Sequence, residues 1–358
     1  MNKNERNTIS THYRLPAEWE QQSGIALTWP HKATDWNPYL REITETFVQI
    51  AIAIAERELL LIATPEPENV LALLRRRLSE SAFARVRICE CATNDTWARD
   101  HSAISLVPED NATNQRAKLL DFRFNGWGEK FESTLDNAIT QHLVAQGMLC
   151  GERIDYSDFV LEGGAIESDG DGTVMTTECC LLAPHRNQPL RKTEIETTLK
   201  QRLCAQNILW LQHGSLLGDD TDGHIDTLAR FAPNNTLLYN TCAGARDAHF
   251  ETLKQMEDDL KAFRNRHGEP YRLLSLPLPD PIFYEGERLP ATYANFLVIN
   301  GAVICPTYQQ EANDLLAQSV LREAFPQHEI IPIDASVIIR QHGSIHCLTM
   351  QFPPNVIK

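Results

Sequence analysis

No two cysteines in this 358-residue chain are spaced as CxxC, and no apolar run approaches the ~18 residues that a membrane-spanning helix needs. The first absence argues against a structural zinc site, the second against a membrane protein. Basic residues are also few. Lys and Arg number 33 against 48 Asp and Glu, a formal net charge of −15. A nucleic-acid binder is expected to present a basic stripe, so that class is excluded. Acidity of this size suits solubility, and equally the attraction of a cation. There is no Gly/Ser linker and no low-complexity segment, so residues 1–358 read as a single domain. The opening MNKNERNTISTHYRLP has no apolar core of a secretory signal. Nine cysteines, an odd number, are scattered at 89, 91, 150, 179, 180, 204, 242, 305 and 347. Together these features predict free thiols in a reducing cytoplasm, most of them small core residues.

What is present is an alternation of helical and extended patterns. PYLREITETFVQIAIAIAER (38–57) places Leu40, Ile43, Phe47, Ile50 and Ile54 on one helical face. Further helices are expected over 67–80, 133–146, 191–204, 247–265 and 311–324. Ser133 and Asp247 are read as N-caps and Gly268 as a terminator. Between them lie β-rich runs at 86–91, 103–107, 119–124, 208–212, 236–240, 295–305 and 329–333. LPLPDPIFYEGERLP (276–290) is long enough to be a lid over a site. From residue 67 onward the helices start roughly 60 residues apart, as repeated supersecondary units would. Nearly every helix is followed by an apolar strand and then a polar segment: NDTWARD (94–100), LEGGAIESDGDG (161–172), GDDTDGHID (218–226), ATYANF (291–296) and HGSIHC (342–347). Five such units around an axis would bring five polar segments together. An ordinary α/β domain with fortuitous spacing is the alternative.

Those segments hold reactive groups. In DDTDGHID (219–226) four aspartates crowd one histidine, which requires a metal, a cationic ligand or free solvent to compensate them. If His224-Ile225-Asp226 is a strand, imidazole and carboxylate project into the same cavity. Cys347, read as standing on a strand entered from a tight turn, is a candidate nucleophile, and a nucleophilic thiol needs an acid/base partner such as His224 and an orienting group such as Glu162. Trp97 is placed to wall a pocket and Asp100 to hold a cation, with Arg99 paired elsewhere. The run from Glu167 to Glu178 nearly matches a calcium-binding loop, but its flanks look like strands, so DGDG reads as a hairpin turn. A guanidinium would reconcile an acidic cavity with a cysteine. It is planar and permanently cationic, two carboxylates grip it in forked geometry, and its carbon stays open to a thiolate above the plane.

The stretches 15–36, NDTWARD, LEGG, DDTDGHID, ATYANFLVINGAVICP (291–306) and GSIHCLTMQ (343–351) jointly resemble the agmatine deiminase family, also known as bacterial-type peptidylarginine deiminases. That resemblance implies a five-bladed α/β propeller with pseudo-fivefold symmetry. It implies Cys347 as nucleophile, His224 as general acid/base, Asp100 and Asp226 as guanidinium-binding carboxylates, Glu162 as support for the histidine and the substrate nitrogens, and Trp97 as a nearby aromatic. The implied reaction needs no metal or other cofactor. Agmatine is the leading substrate, with peptidylarginine and free arginine as alternatives, and family members are often homo-oligomers. Two departures are visible: His101-Ser102-Ala103 follows WARD where the family often has Gly-Pro, and Gln341-His342-Gly343-Ser344 replaces a common Gly-Gly-Gly run. A metal-dependent hydrolase using His224 and the nearby aspartates, and an inactive polyamine-binding propeller, are the readings from other classes.

Overall fold

The structure, a computed structural model, describes residues 13–109, 115–242 and 244–358. Residues 1–12 of the segment read for a secretory signal lie outside the described residues. The fold is mixed α/β, and one connection pattern recurs in five of its sheets. A first strand pairs antiparallel with a central strand, a helix follows the central strand, and the chain returns in a third strand parallel to it. One sheet takes this pattern from Thr349–Phe352, Gly24–Thr28, the helix Leu40–Ala55 and Leu59–Thr64. The second uses Ile104–Pro108, Lys118–Arg123, the helix Ile139–Ala145 and Glu152–Val160. The third uses Ile166–Ser168, Thr173–Thr177, the helix Lys192–Arg202 and Asn207–Leu211. The fourth uses Ala229–Ala232, Thr236–Thr241, the helix Phe250–Ala262 and Arg272–Pro277. The last uses Leu297–Ile299, Ala302–Thr307, the helix Glu311–Ala324 and Glu329–Asp334. Among the described residues no sheet closes on itself.

The helix at 67 is not the counterpart of the later ones. Pro67–Arg77 carries the chain to an added fourth strand, Val86–Glu90, whereas the helix in the equivalent position is Leu40–Ala55. The strand expected over 295–305 is a hairpin, with Ile299 opposite Ala302. All three expected helix-end residues also fall elsewhere. The segment expected to be helical from Ser133 begins with a 3-10 turn at Asp136–Ala138, and the helix ending at Ala262 stops well before Gly268. Asp247 lies outside that helix, accepting from His249 N–H at 2.9 Å and pairing with Arg288. At Asp247 the local cap signal yields to partners that become available only on folding. The reading of DGDG as a hairpin holds: Ile166–Ser168 and Thr173–Thr177 pair across it. The calcium-loop carboxylates are dispersed, with Glu167 on Arg230, Asp169 on the backbone of its own turn and Asp171 on Arg266.

Central strands such as Gly24–Thr28 and Thr173–Thr177 are buried along their whole length, as a sheet covered on both faces requires. The helix Leu40–Ala55 buries Ile43, Phe47, Ile50 and Ile54 of the expected face, and also Val48, Ala51 and Ala53, because it is wrapped on more than one side. The last strand joins one of the first: Phe352 lies opposite Gly24 and Thr349 opposite Leu27. The two ends of the chain are therefore sewn into one sheet, and Phe352 is fully buried there. Phe352→Ala is expected to cost about 3–5 kcal/mol of stability. A lowered urea midpoint with an unchanged slope checks this; a midpoint within error of the parent would show that the terminal strand contributes little.

Candidate active site

The five polar segments occupy equivalent places. Each lies where the chain leaves the last strand of one sheet and enters the first strand of the next: 94–100 before Ile104, 161–164 before Ile166, 218–226 before Ala229, 291–296 before Leu297, and 342–347 before Thr349. Short helical turns rather than extended strands carry the reactive groups. Asp100 is in the turn Ala98–His101, Glu162 immediately precedes Gly163–Ala165, His224 precedes Ile225–Thr227, and Cys347 is within His346–Leu348. This corrects the extended geometry expected for His224-Ile225-Asp226 and for Cys347. The strands begin only afterwards, because a strand would project alternate residues to opposite faces.

These turns pack together. Cys347 Sγ lies 3.7 Å from Asp226 Oδ2 and 3.4 Å from Asn295 Oδ1. Asn295 Oδ1 also accepts from Cys347 N–H, and its amide donates to the Asp226 carbonyl. Asp100 Oδ1 accepts from Gly164 N–H at 3.0 Å and stands 3.7 Å from His224 Nδ1. A methyl group on Gly164 would come within 2.6 Å of His224 Nδ1 and 2.9 Å of Asp100 Oδ1. Only glycine admits so close an approach. Asp100 Oδ2 accepts from the indole of Trp127 at 2.9 Å. Trp127 has a left-handed backbone (φ 55°) between Gly126 and Gly128, a conformation that costs on the order of 1 kcal/mol and aims the indole at that carboxylate. Glu162 Oε1 accepts from Arg186 Nε at 2.7 Å. Glu162 Oε2, Asp226 Oδ1 and both nitrogens of His224 are buried and hydrogen-bond to no protein group. Such atoms in a native interior call for a ligand or water.

A cavity of about 290 Å³ opens onto this cluster, lined by Trp97, Asp100, Trp127, Gly343 and Cys347. Gly343 is packed against the face of Trp97, where a Cβ would sit 2.2 Å from the ring. The lining also includes Asp35, Asp95, Glu132, Asp136 and Asp220, and no Lys or Arg. Gln341 and His342, two of the departures noted above, lie in this wall. The loop at 276–290 does not line the cavity. It forms a short hairpin, Phe283–Tyr284 with Glu287–Arg288, and Arg288 and Pro290 pack against Gly218.

The aspartates of DDTDGHID diverge into separate environments. Asp219 ties its own turn through Thr221 and Gly223, Asp220 faces the cavity, Asp222 pairs with Lys130 and Arg186, and Asp226 meets Cys347. Burial raises Asp220 to about 6, with the Asp219 charge adding to it. Burial likewise raises Asp95 and Asp136 to about 7. Asp100 is raised by burial and by Asp226 and Glu162 against the lowering charge of His224. Burial would raise Asp226 too, but the hydrogen bond and charge of His346, with His224 and Arg230, hold it below the ordinary carboxylate value. The Cys347 thiol is pushed well up by burial and by the charges of Asp226 and Asp100.

Sequence reasoning placed Asp100, Glu162, His224, Asp226, Cys347 and Trp97 in one region, and the structure gathers them there. It missed Asn295, Trp127 and Arg186. Asn295 was within reach, since ATYANF is one of the five equivalent connectors; Trp127 and Arg186 arrive from segments with no such signature.

Comparison with known proteins agrees with this geometry. The profile of the Porphyromonas-type peptidyl-arginine deiminases matches residues 14–353. The chain belongs to that family. A Vibrio parahaemolyticus protein provisionally named agmatine deiminase is 34% identical over 95% of this chain and 97% of its own length. A crystal structure of a Porphyromonas gingivalis protein, provisionally named an arginine deiminase, superposes with a TM-score of 0.89 at 45% identity, covering 97% of this chain and 100% of that one. A cysteine-to-serine variant of C. jejuni agmatine deiminase with substrate bound superposes with a TM-score of 0.83 at 39% identity, over 95% and 96% of the two chains. Within this peptidyl-arginine deiminase family framework, the electrostatics make a direct prediction. A thiol raised by burial and two carboxylates is protonated at neutral pH. Iodoacetamide is therefore expected to label Cys347 slowly near pH 7 and faster as pH rises. Asp226→Asn should speed labelling at pH 7 by about three- to tenfold, since it removes one raising charge. Peptide mapping reads this out, and an unchanged or slower rate would contradict it.

Proposed function

We propose that this protein hydrolyses the guanidino group of agmatine to N-carbamoylputrescine and ammonia, a step towards putrescine, by covalent catalysis at Cys347. The observation that carries the reading is the placement of Cys347 and Asp100 on one cavity, with the Asp226 carboxylate 3.7 Å from the Cys347 sulfur. Asp100 and Asp226 grip the guanidinium nitrogens, and its carbon lies open to the sulfur. The substrate's positive charge offsets the two carboxylates that hold the thiol protonated, so binding itself promotes the thiolate. Cys347 gives its proton to His224 and adds as thiolate to the guanidinium carbon. His224 donates a proton to the departing nitrogen and ammonia leaves, so that a cationic amidino-thioether remains on the cysteine. His224 then takes a proton from water, water adds to the same carbon, and the C–S bond breaks to return the thiolate and release the ureido product. Glu162, held by Arg186, supports the histidine and substrate nitrogens, and Trp97 forms one wall.

Agmatine is favoured over arginine or peptidylarginine by the outer part of the cavity. Its tail ends in an ammonium, and the lining there offers carboxylates and no Lys or Arg to receive a carboxylate or complement a peptide's acceptors. A metal-dependent route has weaker support. Ligand atoms of Glu162, Cys180 and His224 lie within 4.8 Å of one another, but Arg186 already places a guanidinium against Glu162. We further propose that the five sheets are the blades of a single propeller spanning residues 1–358. Their repeated pattern and the convergence of their connectors support this. Free cysteines at all nine positions suit a cytoplasmic location, and among the described residues no helix is long and apolar enough to cross a membrane. The partner is a small cationic substrate rather than nucleic acid or membrane, and assembly into a homo-oligomer fits the family.

A ureido-product assay on agmatine, arginine and an arginyl peptide tests the reading. Cys347→Ala is expected to lower turnover by roughly 10⁴-fold or more, and His224→Gln by about 10²–10⁴-fold. Retained activity in Cys347→Ala with loss on chelation would favour the metal route. Turnover of the peptide but not of agmatine would reassign the substrate. Asp220→Asn should raise KM for agmatine about three- to tenfold, as loss of a partly screened ion pair predicts, and leave KM for butylguanidine unmoved. Equal effects on both would place the agmatine tail elsewhere.

A further inference from the structure

His346, the residue before Cys347, faces away from the cavity into a buried set of charges. Its Nδ1 lies 2.7 Å from Asp226 Oδ2 and its Nε2 lies 2.7 Å from Glu18 Oε2. His346, Asp226 and Glu18 are all buried. Glu18 is further held by Arg230 Nη2 at 2.7 Å and by Val298 N–H at 2.8 Å. Arg230 in turn pairs with Glu167 and donates to the Ala294 and Phe296 carbonyls. Arg99 closes the set, with Nη2 3.8 Å from Glu18 and Nε donating to the His346 carbonyl. The groups facing the imidazole are thus Asp226, Glu18 and Glu167 as acids, Arg99 and Arg230 as bases, and the neighbouring Cys347 thiol.

Two carboxylate oxygens, one at each ring nitrogen, demand a proton in each bond. A neutral imidazole carries one; only the imidazolium supplies both while each acid stays ionised. Glu18 is anchored as an anion by Arg230 and a backbone donor. Asp226 has one oxygen on His346, and its other oxygen, Oδ1, makes no hydrogen bond to the protein. We propose that His346 is a positioning residue: a buried imidazolium, clamped between Glu18 and Asp226, that keeps Asp226 ionised and turns its second oxygen towards the guanidinium of the substrate. This extends the agmatine reading above and rests on it. It assigns to Glu18, on the far side of the site, the part of holding that charge in place. His346 itself touches neither substrate nor sulfur in this arrangement. It acts through Asp226, much as an outer partner orients a first ligand elsewhere in protein chemistry.

Two measurements test it. In enzyme labelled with ¹⁵N-histidine, ring-nitrogen spectra of the whole protein at neutral pH should show both nitrogens of one histidine protonated, as a carboxylate at each nitrogen requires, with that signal absent from His346→Asn. One unprotonated nitrogen at neutral pH would overturn the proposal, and this result is independent of any activity. The second measurement is the pH profile of His346→Asn, whose amide keeps a neutral donor near Asp226 but no charge. Its KM for agmatine should rise roughly tenfold, and the acidic limb of kcat/KM should move up by about one pH unit or more, because Asp226 loses the cation that keeps it ionised. Turnover at saturating substrate and alkaline pH should stay within about threefold of the parent, since the reacting groups remain. A fall in kcat alone, with KM and the acidic limb unmoved, would mark a purely structural residue and sink the idea. If the parent enzyme leaves agmatine unchanged, the substrate reading fails, while the nitrogen spectra still decide the charge on His346.

Discussion

Around the reactive cysteine, a buried carboxylate stays ionised where something positive lies against it. Asp226 shows the constraint most clearly. It is fully buried, it stands beside a thiol that gains nothing from another negative charge, and it keeps one oxygen free of protein donors. Left alone it would take up a proton. The hydrogen bond from His346, with the charges of His224 and Arg230, reverses that tendency. The same constraint recurs at Glu162 with Arg186 and at Glu18 with Arg230. A good part of the polar interior is a device for holding acids ionised where water does not reach. Such pairs contribute little net stability, because desolvation offsets most of their attraction, but removing one partner leaves the other exposed to the full cost.

The fold serves this arrangement by repetition. Each sheet ends in a parallel strand, and the chain must then cross to the next sheet. The crossing segments turn tightly, and they carry Asp100, Glu162, His224, Asp226, Asn295 and Cys347. Because the pattern of strand, strand, helix and strand recurs, the crossings occupy equivalent positions in each unit. Residues separated by 247 positions, such as Arg99 and His346, therefore come into hydrogen-bond contact. No one unit contains a working site. Glycine is needed where crossings meet most closely, at Gly164 against His224 and at Gly343 against Trp97.

The two sides of the site use charge differently. On the inner side Glu18, Glu162 and Asp226 each have a named basic partner, and Asp100 has the Gly164 N–H and the Trp127 indole. The cavity wall leans acidic: burial raises Asp95, Asp136 and Asp220, only Asp220 feels nearby lowering charges, from His342 and Lys130, and no Lys or Arg lines the cavity itself. An excess of this kind is strained without a cation and relieved by one. It is the physical basis for reading the mouth as the place of a positively charged tail, and Gln341 to Gly343 lie in the same wall.

Read alone, the sequence determined the element types, the recurrence of helix, strand and polar segment, and the five places where reactive side chains sit. Hydrophobic period and charge content are local properties, so a single pass along the chain recovers them. The helix Glu311–Ala324 was legible to the residue, and so was the hairpin at DGDG. The sequence did not reveal that HID and IHC form tight turns, because alternation over three residues fits a turn as well as a strand. It did not distinguish the four aspartates of DDTDGHID, which look alike in a string and differ only in their partners. Nor did it mark Asn295, Trp127, Arg186 or Glu18, whose roles lie in contacts with residues far away in the chain. Those were decided by tertiary structure alone, since a charge acquires its meaning from the neighbour that balances it, and that neighbour is chosen by the fold.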